Sequence, residues 1–423
     1  MRYFYTILFY LALPVIFIRL LWRSRSQPAY RERLGERLGF YPHQLNKCLW
    51  VHAVSVGEVL AAIPLMKALQ KQYPHLPLLV TTMTPTGAER VKVALGDSIT
   101  HVYIPYDLPG AVSRFLETMH PEVALIMETE LWPNLLAACY EEHIPVYLLN
   151  ARLSQKSARG YRRITSLTRI MLQQLTFIAA HGEEDAKRFI ALGALQDHVI
   201  VTGNIKFDLQ LPDDLSDKSR MLRECLGQDR FIWIAASTHE GEEEQLLLAH
   251  QQLLQKNQQI LLILVPRHPD RFDHVAKLVE QYGLNMVRRS EHLPVAQDTA
   301  VYLGDTMGEL LLLYAVADVA FVGGSLIPRG GHNMLEPGAL AKPVLTGKYL
   351  FNFAEISELF IAAQALSIVS DATSLVLQLT RLMENADERI QMGERAQKVV
   401  AANRGALGRQ LELITRTQKL SYC

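Results

Sequence analysis

The sequence predicts an α/β protein of two doubly wound halves, each a parallel sheet covered by helices, behind an N-terminal membrane-anchor helix. Three observations carry that prediction. Short β-rich apolar runs alternate with helical stretches along most of the chain. The alternation pauses at a polar stretch around residues 208–217 and then restarts. An uncharged apolar run stands at the start of the chain. At 423 residues the chain is too long for one ordinary core, and with 49% apolar residues it can fill two.

The run 3–18 reads YFYTILFYLALPVIFI. It is slightly short of the ~20 residues of a spanning helix. Leu20, Leu21 and Trp22 extend it, and Arg19 can snorkel. A cleaved signal peptide fits poorly, because aromatics stand where a small-residue cleavage site belongs and Arg19, Arg23 and Arg25 follow at once. Only Arg2 precedes the run, while Arg19, Arg23, Arg25, Arg31, Arg33 and Arg37 follow it. The positive-inside rule then leaves the body in the cytoplasm, with the basic stretch against anionic headgroups. An apolar helix packed on a domain, or one lying in the membrane interface, are the other readings of this segment.

Strands are expected at 49–52, 78–82, 102–104, 123–127, 146–149, 177–180 and 199–202. Helical patterns fall at 57–71, 86–95, 111–119 and 135–142 between them. The polar stretch 208–217, with Pro212 and several acids, reads as a linker. Strands resume at 231–235, 260–265, 301–303, 319–322, 344–345 and 367–369, and a mixed-charge helical tail follows from about residue 387. Strands alternating with helices argue for parallel sheets covered on both faces. The expected division is an anchor at 1–22, a first Rossmann-like domain at 23–207 and a second at 208–423, the last helix being free to pack back on the first domain. Ligands of such sheets bind at the carboxyl ends of the strands, in a cleft between the two halves.

The formal net charge is zero, from 43 basic and 43 acidic residues, which argues against a bulk nucleic-acid binder. Cys48, Cys139, Cys225 and Cys423 are widely spaced, as reduced thiols rather than a disulfide framework or a zinc site. No phosphate loop of the GxxxxGK[ST] type, no opening GxGxxG, no HExxH and no GxSxG is present. The fourteen histidines show no metal-like spacing.

The loops after the strands hold the unusual residues. In His52-Ala-Val-Ser-Val-Gly-Glu58, Glu58 falls in the first turn of a helix, where it serves equally well as a capping acid. In Met127-Glu-Thr-Glu-Leu-Trp-Pro-Asn134, Glu128 and Glu130 follow a buried strand, a costly place for acids that bind nothing. Asn150-Ala-Arg-Leu-Ser154 is followed by Lys156, Arg159, Arg162 and Arg163, either a solvated basic face or a phosphate-facing one. Gly203-Asn-Ile-Lys206 leads into the second half. There, Ser237-Thr-His-Glu-Gly-Glu242 opens a helix that Ser or Thr can cap and whose N–H groups can hold a phosphate. Arg267 can pair bidentately with phosphate or carboxylate. Asp305-Thr-Met-Gly-Glu309 precedes another helix. In the stretch 323–337, four glycines precede His332 and Asn333, which start a short helix bearing Glu336. Its N-terminus can face a phosphate, and its carboxylate can accept from ribose hydroxyls. These loops and the two-half pattern suit a glycosyltransferase using a nucleotide-activated sugar, with the nucleotide on the second half.

SVGE at 55–58, ETELWPN at 128–134, NARLS at 150–154, GNIKFD at 203–208, STHEGEE at 237–243, VPRHP at 265–269 and GGHNMLEP at 330–337 together resemble one family, the 3-deoxy-D-manno-octulosonic acid (Kdo) transferases of lipopolysaccharide synthesis. The resemblance spans essentially the whole chain, with the motifs in order. It implies the GT-B glycosyltransferase fold and inverting transfer of Kdo from CMP-Kdo to the lipid A precursor (lipid IVA) at the cytoplasmic face of the inner membrane; family members adding one or two units share these motifs, and two units in succession is the expectation. It implies Glu58 as general base. It also implies CMP contacts at Pro266, Arg267, Met307, Gly308, Glu309, Asn333, Met334, Leu335 and Glu336. Glu128, Arg152, Lys206, Ser237 and His239 are further candidates for holding Kdo or ordering the cleft, and each is equally readable as a structural strand-end group. No metal, cofactor or nucleic acid is implied. The segment 31–40 is a candidate lipid contact. The alternative is a related GT-B enzyme using a UDP-sugar, or a UDP-sugar epimerase of the same architecture.

Overall fold

The computed structural model describes residues 1–25 and 27–417. It divides into two compact units. One runs from Met1 to Asp208 and takes up the chain again from Arg404; the other is Leu209–Asn403.

The first unit holds seven strands: β1 Cys48–His52, β2 Leu78–Thr82, β3 Thr100–Tyr103, β4 Pro121–Met127, β5 Val146–Ala151, β6 Phe177–Ala180 and β7 Val199–Val201. Every pairing is parallel, in the order β3-β2-β1-β4-β5-β6-β7. The chain winds outward from β1 to β3, returns to lay β4 beside β1, and winds out the other way. β1, CLWVH, is buried at every position. Cys48 and Trp50 pack in one core layer, Leu49 and Val51 in the other. A strand buried on both faces has no polar side to alternate with, which is why these strands read as continuous apolar runs.

The second unit repeats the plan with β8 Ile232–Thr238, β9 Leu261–Pro266, β10 Met286–Arg288, β11 Val301–Leu303, β12 Val319–Val322, β13 Val344–Thr346 and β14 Leu366–Ile368. Its order is β10-β11-β9-β8-β12-β13-β14, again all parallel. Thirteen of the fourteen strands fall on expected runs. The exception, β10, is a three-residue edge strand ending in Arg288, with no residue fully buried. An edge strand needs little apolar surface, so it carries no periodic signal.

The tail is two helices, Ala386–Ala402 and Ala406–Thr417, separated by a turn in which Gly405 takes φ 91°. The second belongs to the first unit. The Asp208 carboxylate accepts the Gly405 and Leu407 N–H groups, and Arg409 Nε and Gln410 Nε2 donate to Thr202 at 2.8 and 3.0 Å. Asp208 thus satisfies orphan donors at the start of that helix, and the last residue of GNIKFD fastens the chain's return.

The N-terminal helix, Arg2–Arg23, is long and apolar enough to cross a membrane. In the segment 31–40, Arg37 is 1% exposed, donates to the Met83 carbonyl at 3.0 Å and lies over the Tyr103 ring. Glu36 is buried too and accepts the Tyr103 N–H at 2.7 Å. These two are core groups and not headgroup contacts; Arg31 and Phe40 are exposed. Cys48 and Cys139 are buried thiols and Cys225 is exposed, while Cys423 lies outside the described residues.

Candidate functional site

In a doubly wound sheet the ligand crevice lies outside the carboxyl ends of the strands, where the strand order reverses. In the first unit that point is between β1 and β4, and the loops leaving them are the Glu58 loop and the Glu128–Asn134 loop.

Ser55 caps the helix Val56–Gln72, and Glu58 is its third residue. The Glu58 N–H reaches Ser55 Oγ at 3.4 Å. In return the carboxylate accepts Ser55 Oγ–H at 2.7 Å and the Val54 N–H at 2.8 Å. This is a reciprocal cap, and it holds both carboxylate oxygens in place. Glu58 is only 7% exposed. Burial pushes its carboxyl up to about 7, the bonds from Ser55 and Val54 oppose the shift, and the charges of Glu130 and Glu128 add to it. The capping reading and the general-base reading therefore coexist. The cap fixes the geometry, and burial beside two other acids sets the proton affinity that a base working near neutral pH needs.

Glu130 is held by Trp132 Nε1 at 2.9 Å, and burial raises its carboxyl. Glu128 stands at φ 56°, with its carboxylate 3.8 Å from Lys206 Nζ. The Thr129 hydroxyl donates to the Arg152 carbonyl, tying the β4 loop to the β5 loop. Asn150, at φ 51° and fully buried, accepts the Ile205 N–H at 2.9 Å, and Asn204 Oδ1 accepts the Lys206 N–H at 3.0 Å. Glu58, Glu128, Arg152 and Lys206 thus come from four loops at one edge of this sheet. Lys156, Arg159, Arg162 and Arg163 are exposed on and just after the helix Gln155–Arg162.

The second unit reverses between β8 and β12. Ser237, near the end of β8, takes φ 58°. Left-handed non-glycine residues cost roughly 1–3 kcal/mol and persist where the surroundings force them; Glu128, Asn150 and Ser237 all stand at strand ends in these loops. Ser237 and Thr238 do not cap the following helix, Glu243–Leu254, as the sequence led one to expect. Thr238 Oγ1 donates instead to Glu243 Oε1 at 3.0 Å. Glu242 takes over that corner. Its buried carboxylate accepts the N–H groups of His239, Gly324, Ser325 and Leu326 at 3.1, 2.7, 2.9 and 2.9 Å. Glu242 belongs to the STHEGEE motif yet was not among the expected site residues. Its signal was a second acid directly before an apolar helix, where a buried carboxylate must find donors.

The clamped glycine turn sets up a group of basic side chains. His239 Nε2 lies 2.8 Å from His332 Nε2, and the His268 ring is 5.4 Å from that of His239. Burial pushes His239 down to about 4, helped by His268, Arg329, Arg267 and Arg271. Burial also pushes His332 down to about 3, with Arg267, His239 and His268 adding to the effect. The arginines that surround these buried imidazoles make this a place suited to an anion. Arg271 is already paired with Glu243 at 3.1 Å and Glu240 at 3.4 Å, while the Arg267 side chain is exposed beside buried Pro266.

The expected nucleotide contacts divide. Asn333 caps its own turn, accepting the Leu335 N–H at 3.1 Å and donating to Glu336 Oε1 at 3.0 Å. Burial raises the Glu336 carboxyl, and Asn333 and Arg267 oppose that. Met334 and Leu335 are 0% exposed, so their side chains are core and only their backbone can reach a ligand. The helix they begin, Leu335–Ala339, is a single turn. With so short a helix, the formal positive charge here comes from Arg267 beside the neutral His239–His332 pair. Met307 is 62% exposed next to Gly308 at φ 85°. Glu309 is committed to Arg289, at 2.8 and 3.1 Å, and to the Thr306 hydroxyl.

A Cβ on Gly324, which sits at φ 67°, would come within 2.8 Å of the His332 ring. Gly324→Ala is therefore expected to move His332 and loosen the Glu242 clamp. The expected result is weaker binding of the nucleotide that the sequence places on this half, read by calorimetry, with the fold retained by circular dichroism.

Residues 32–209 match the family model described as 3-Deoxy-D-manno-octulosonic-acid transferase (kdotransferase). The chain is 46% identical over 419 residues to a 3-deoxy-D-manno-octulosonic acid transferase of Haemophilus influenzae, covering 98% of each. Among solved structures it is similar to a UDP-GlcNAc 2-epimerase from Neisseria meningitidis bound to UDP-GlcNAc, with TM-score 0.57 and 16% identity over 88% of this chain and all of that one. It is also similar to a glycosyltransferase from Rickettsia africae, with TM-score 0.55 and 14% identity over 89% of this chain and all of that one. At those identities the two structural likenesses establish the GT-B fold and nothing finer.

Proposed function

As the chain belongs to the 3-deoxy-D-manno-octulosonic acid (Kdo) transferase family and is a glycosyltransferase of lipopolysaccharide biosynthesis, we propose that it moves Kdo from CMP-Kdo onto a hydroxyl of the lipid A precursor with Glu58 as the general base. The observation that carries this is the Glu58 carboxyl: buried, fixed by two hydrogen bonds at the β1–β4 switch point, and raised to about 7.

Glu58 takes the proton of the attacking glucosamine hydroxyl. That oxygen forms the new bond to the anomeric carbon of Kdo while the bond from that carbon to the CMP phosphate breaks. The electron pair leaves with the phosphate, and the configuration inverts. A phosphate leaves readily, so a paired acid such as glycoside hydrolysis uses is less needed. Arg267, beside the His239–His332 pair, stabilises the charge that develops on the phosphate in this reading. Glu336 and the backbone at Met307–Gly308 and Met334–Leu335 are suited to hold the nucleoside. Glu128, Arg152 and Lys206 offer polar contacts for sugar hydroxyls and carboxylate. The exposed Lys156, Arg159, Arg162 and Arg163 suit the phosphates of a lipid acceptor. The N-terminal helix keeps the enzyme at the bacterial inner membrane with its body on the cytoplasmic side, which raises the effective concentration of a lipid acceptor.

The base must be unprotonated to work. With its carboxyl at about 7, kcat/KM is expected to fall about tenfold per pH unit below that point and to level off above it. A limb near 4.5, the ordinary glutamate range, would remove the buried carboxyl from this role. The rival UDP-sugar reading is separated by thermal shift: CMP is expected to raise Tm and UDP to leave it nearly unchanged.

A further inference from the structure

The N-terminal helix has two unlike faces. Along one, Arg2 pairs with Glu141 at 3.0 Å and Thr6 Oγ1 donates to Asn134 Oδ1 at 3.1 Å. Tyr5, Phe9, Leu13 and Phe17 pack on the same body, the Phe9 and Phe17 rings lying 6.4 and 5.9 Å from Tyr106. Positions 2, 5, 6, 9, 13 and 17 are spaced by three and four, so they form one stripe along the helix. All of these contacts lie inside the first unit. On the other face, Tyr3, Phe4, Ile7, Leu11, Val15 and Trp22 are between 58% and 78% exposed. The helix contains no acid, and Arg19, Arg23, Arg25 and Arg31 stand exposed on and after its last turns.

A spanning helix of 22 residues is about 33 Å long and sets its ends on opposite sides of a hydrocarbon core about 30 Å thick. Here Arg2, at one end, and Phe17, more than four turns on, touch the same globular body. To span, the helix would either drag Glu141, Asn134 and Asp107, which the Tyr5 hydroxyl bonds, into hydrocarbon or leave the body, baring Tyr106, Leu108 and Ala111. Neither is needed if the exposed face alone meets lipid. We infer that this helix does not cross the membrane: it lies in the interface plane, docked on the first unit, with its free face in an anionic bilayer. The occupant of that face is a lipid surface, because the patch is continuous and apolar and is flanked by arginines that complement anionic headgroups. The docked helix also holds Asn134, in the first turn of the helix Pro133–Glu141 that follows the loop bearing Glu128 and Glu130. The lipid surface and the loop bearing Glu128 and Glu130 are thereby held in fixed register. The inference rests on the membrane residence proposed above.

Crosslinking in membranes tests it. The full-length enzyme carries Arg2→Cys and Glu141→Cys, with Cys225→Ser and Cys423→Ser to remove other thiols; Cys48 and Cys139 are buried. Membranes are treated with a short bis-maleimide, and the joined peptides are sought after proteolysis. Flotation with phosphatidylglycerol and with phosphatidylcholine vesicles is run in parallel. The expected result is a crosslink between residues 2 and 141 in enzyme that floats, more strongly with the anionic lipid, and that still transfers Kdo when crosslinked. Enzyme that floats but gives no crosslink, its residue 2 lying across the bilayer from residue 141, overturns the in-plane pose and leaves membrane residence standing. Enzyme that floats with neither vesicle overturns membrane residence and this inference with it.

Discussion

Glu58→Gln is expected to lower kcat for Kdo transfer by about 10²–10⁴-fold while leaving CMP affinity unchanged. Glutamine keeps the size of the side chain, and its amide oxygen can still accept one of the bonds from Ser55 and Val54. The loss is then of proton acceptance rather than of fold. Stability gives an independent sign. The folded carboxyl is raised to about 7 from an ordinary 4.5, so the folded state binds the proton more tightly than the unfolded one. The wild type should therefore lose stability as pH rises from about 4.5 through about 7. Glu58→Gln, which cannot ionise, should be more stable than wild type at pH 8 and lose that advantage at pH 5. A variant that is inactive and also less stable at pH 8 would mark Glu58 as a capping acid only.

Arg267→Ala is expected to weaken CMP binding by about 1.5–3 kcal/mol, the range for hydrogen bonds to a charged group, or about ten- to a hundred-fold in Kd. The same variant removes a positive charge from beside His239 and His332. Both imidazoles should then take up a proton more readily, and their titration by NMR should move to higher pH. Unchanged CMP affinity would remove Arg267 from the donor site even if the histidines responded. Lys in its place should restore only part of the affinity, since the ammonium cannot pair bidentately.

Much of this was legible in the sequence because both sheets are buried on both faces. Strands such as CLWVH and LLILVP must then be runs of apolar residues, and the loops after them must carry the chemistry. Glu58 was legible as an acid in the first turn of a helix that follows a strand, and as a base only through the resemblance that SVGE carries; its reciprocal bonds with Ser55 emerge from the structure. What could not be read depends on contacts between distant segments. His239, His268 and His332 come from three loops, and nothing in their spacing announces that they meet. Arg37 looked like one more basic residue behind an apolar helix, yet it is enclosed against Tyr103 and Met83. Met334 and Leu335 sit inside a matching motif, but motif membership does not say which atoms face the ligand. The return of the last helix to the first unit hangs on Asp208, whose partners at Gly405 and Leu407 are almost two hundred residues away.

The most direct test of the central claim is the mass of the lipid product. Purified enzyme is incubated with CMP-Kdo and tetraacylated lipid A precursor, and the lipid is weighed by mass spectrometry. The expected product is an acceptor heavier by one or two Kdo residues, with CMP released in step, and no product forms when UDP-sugars replace the donor. An acceptor of unchanged mass in the presence of CMP-Kdo, or sugar transfer from a UDP donor, would contradict it.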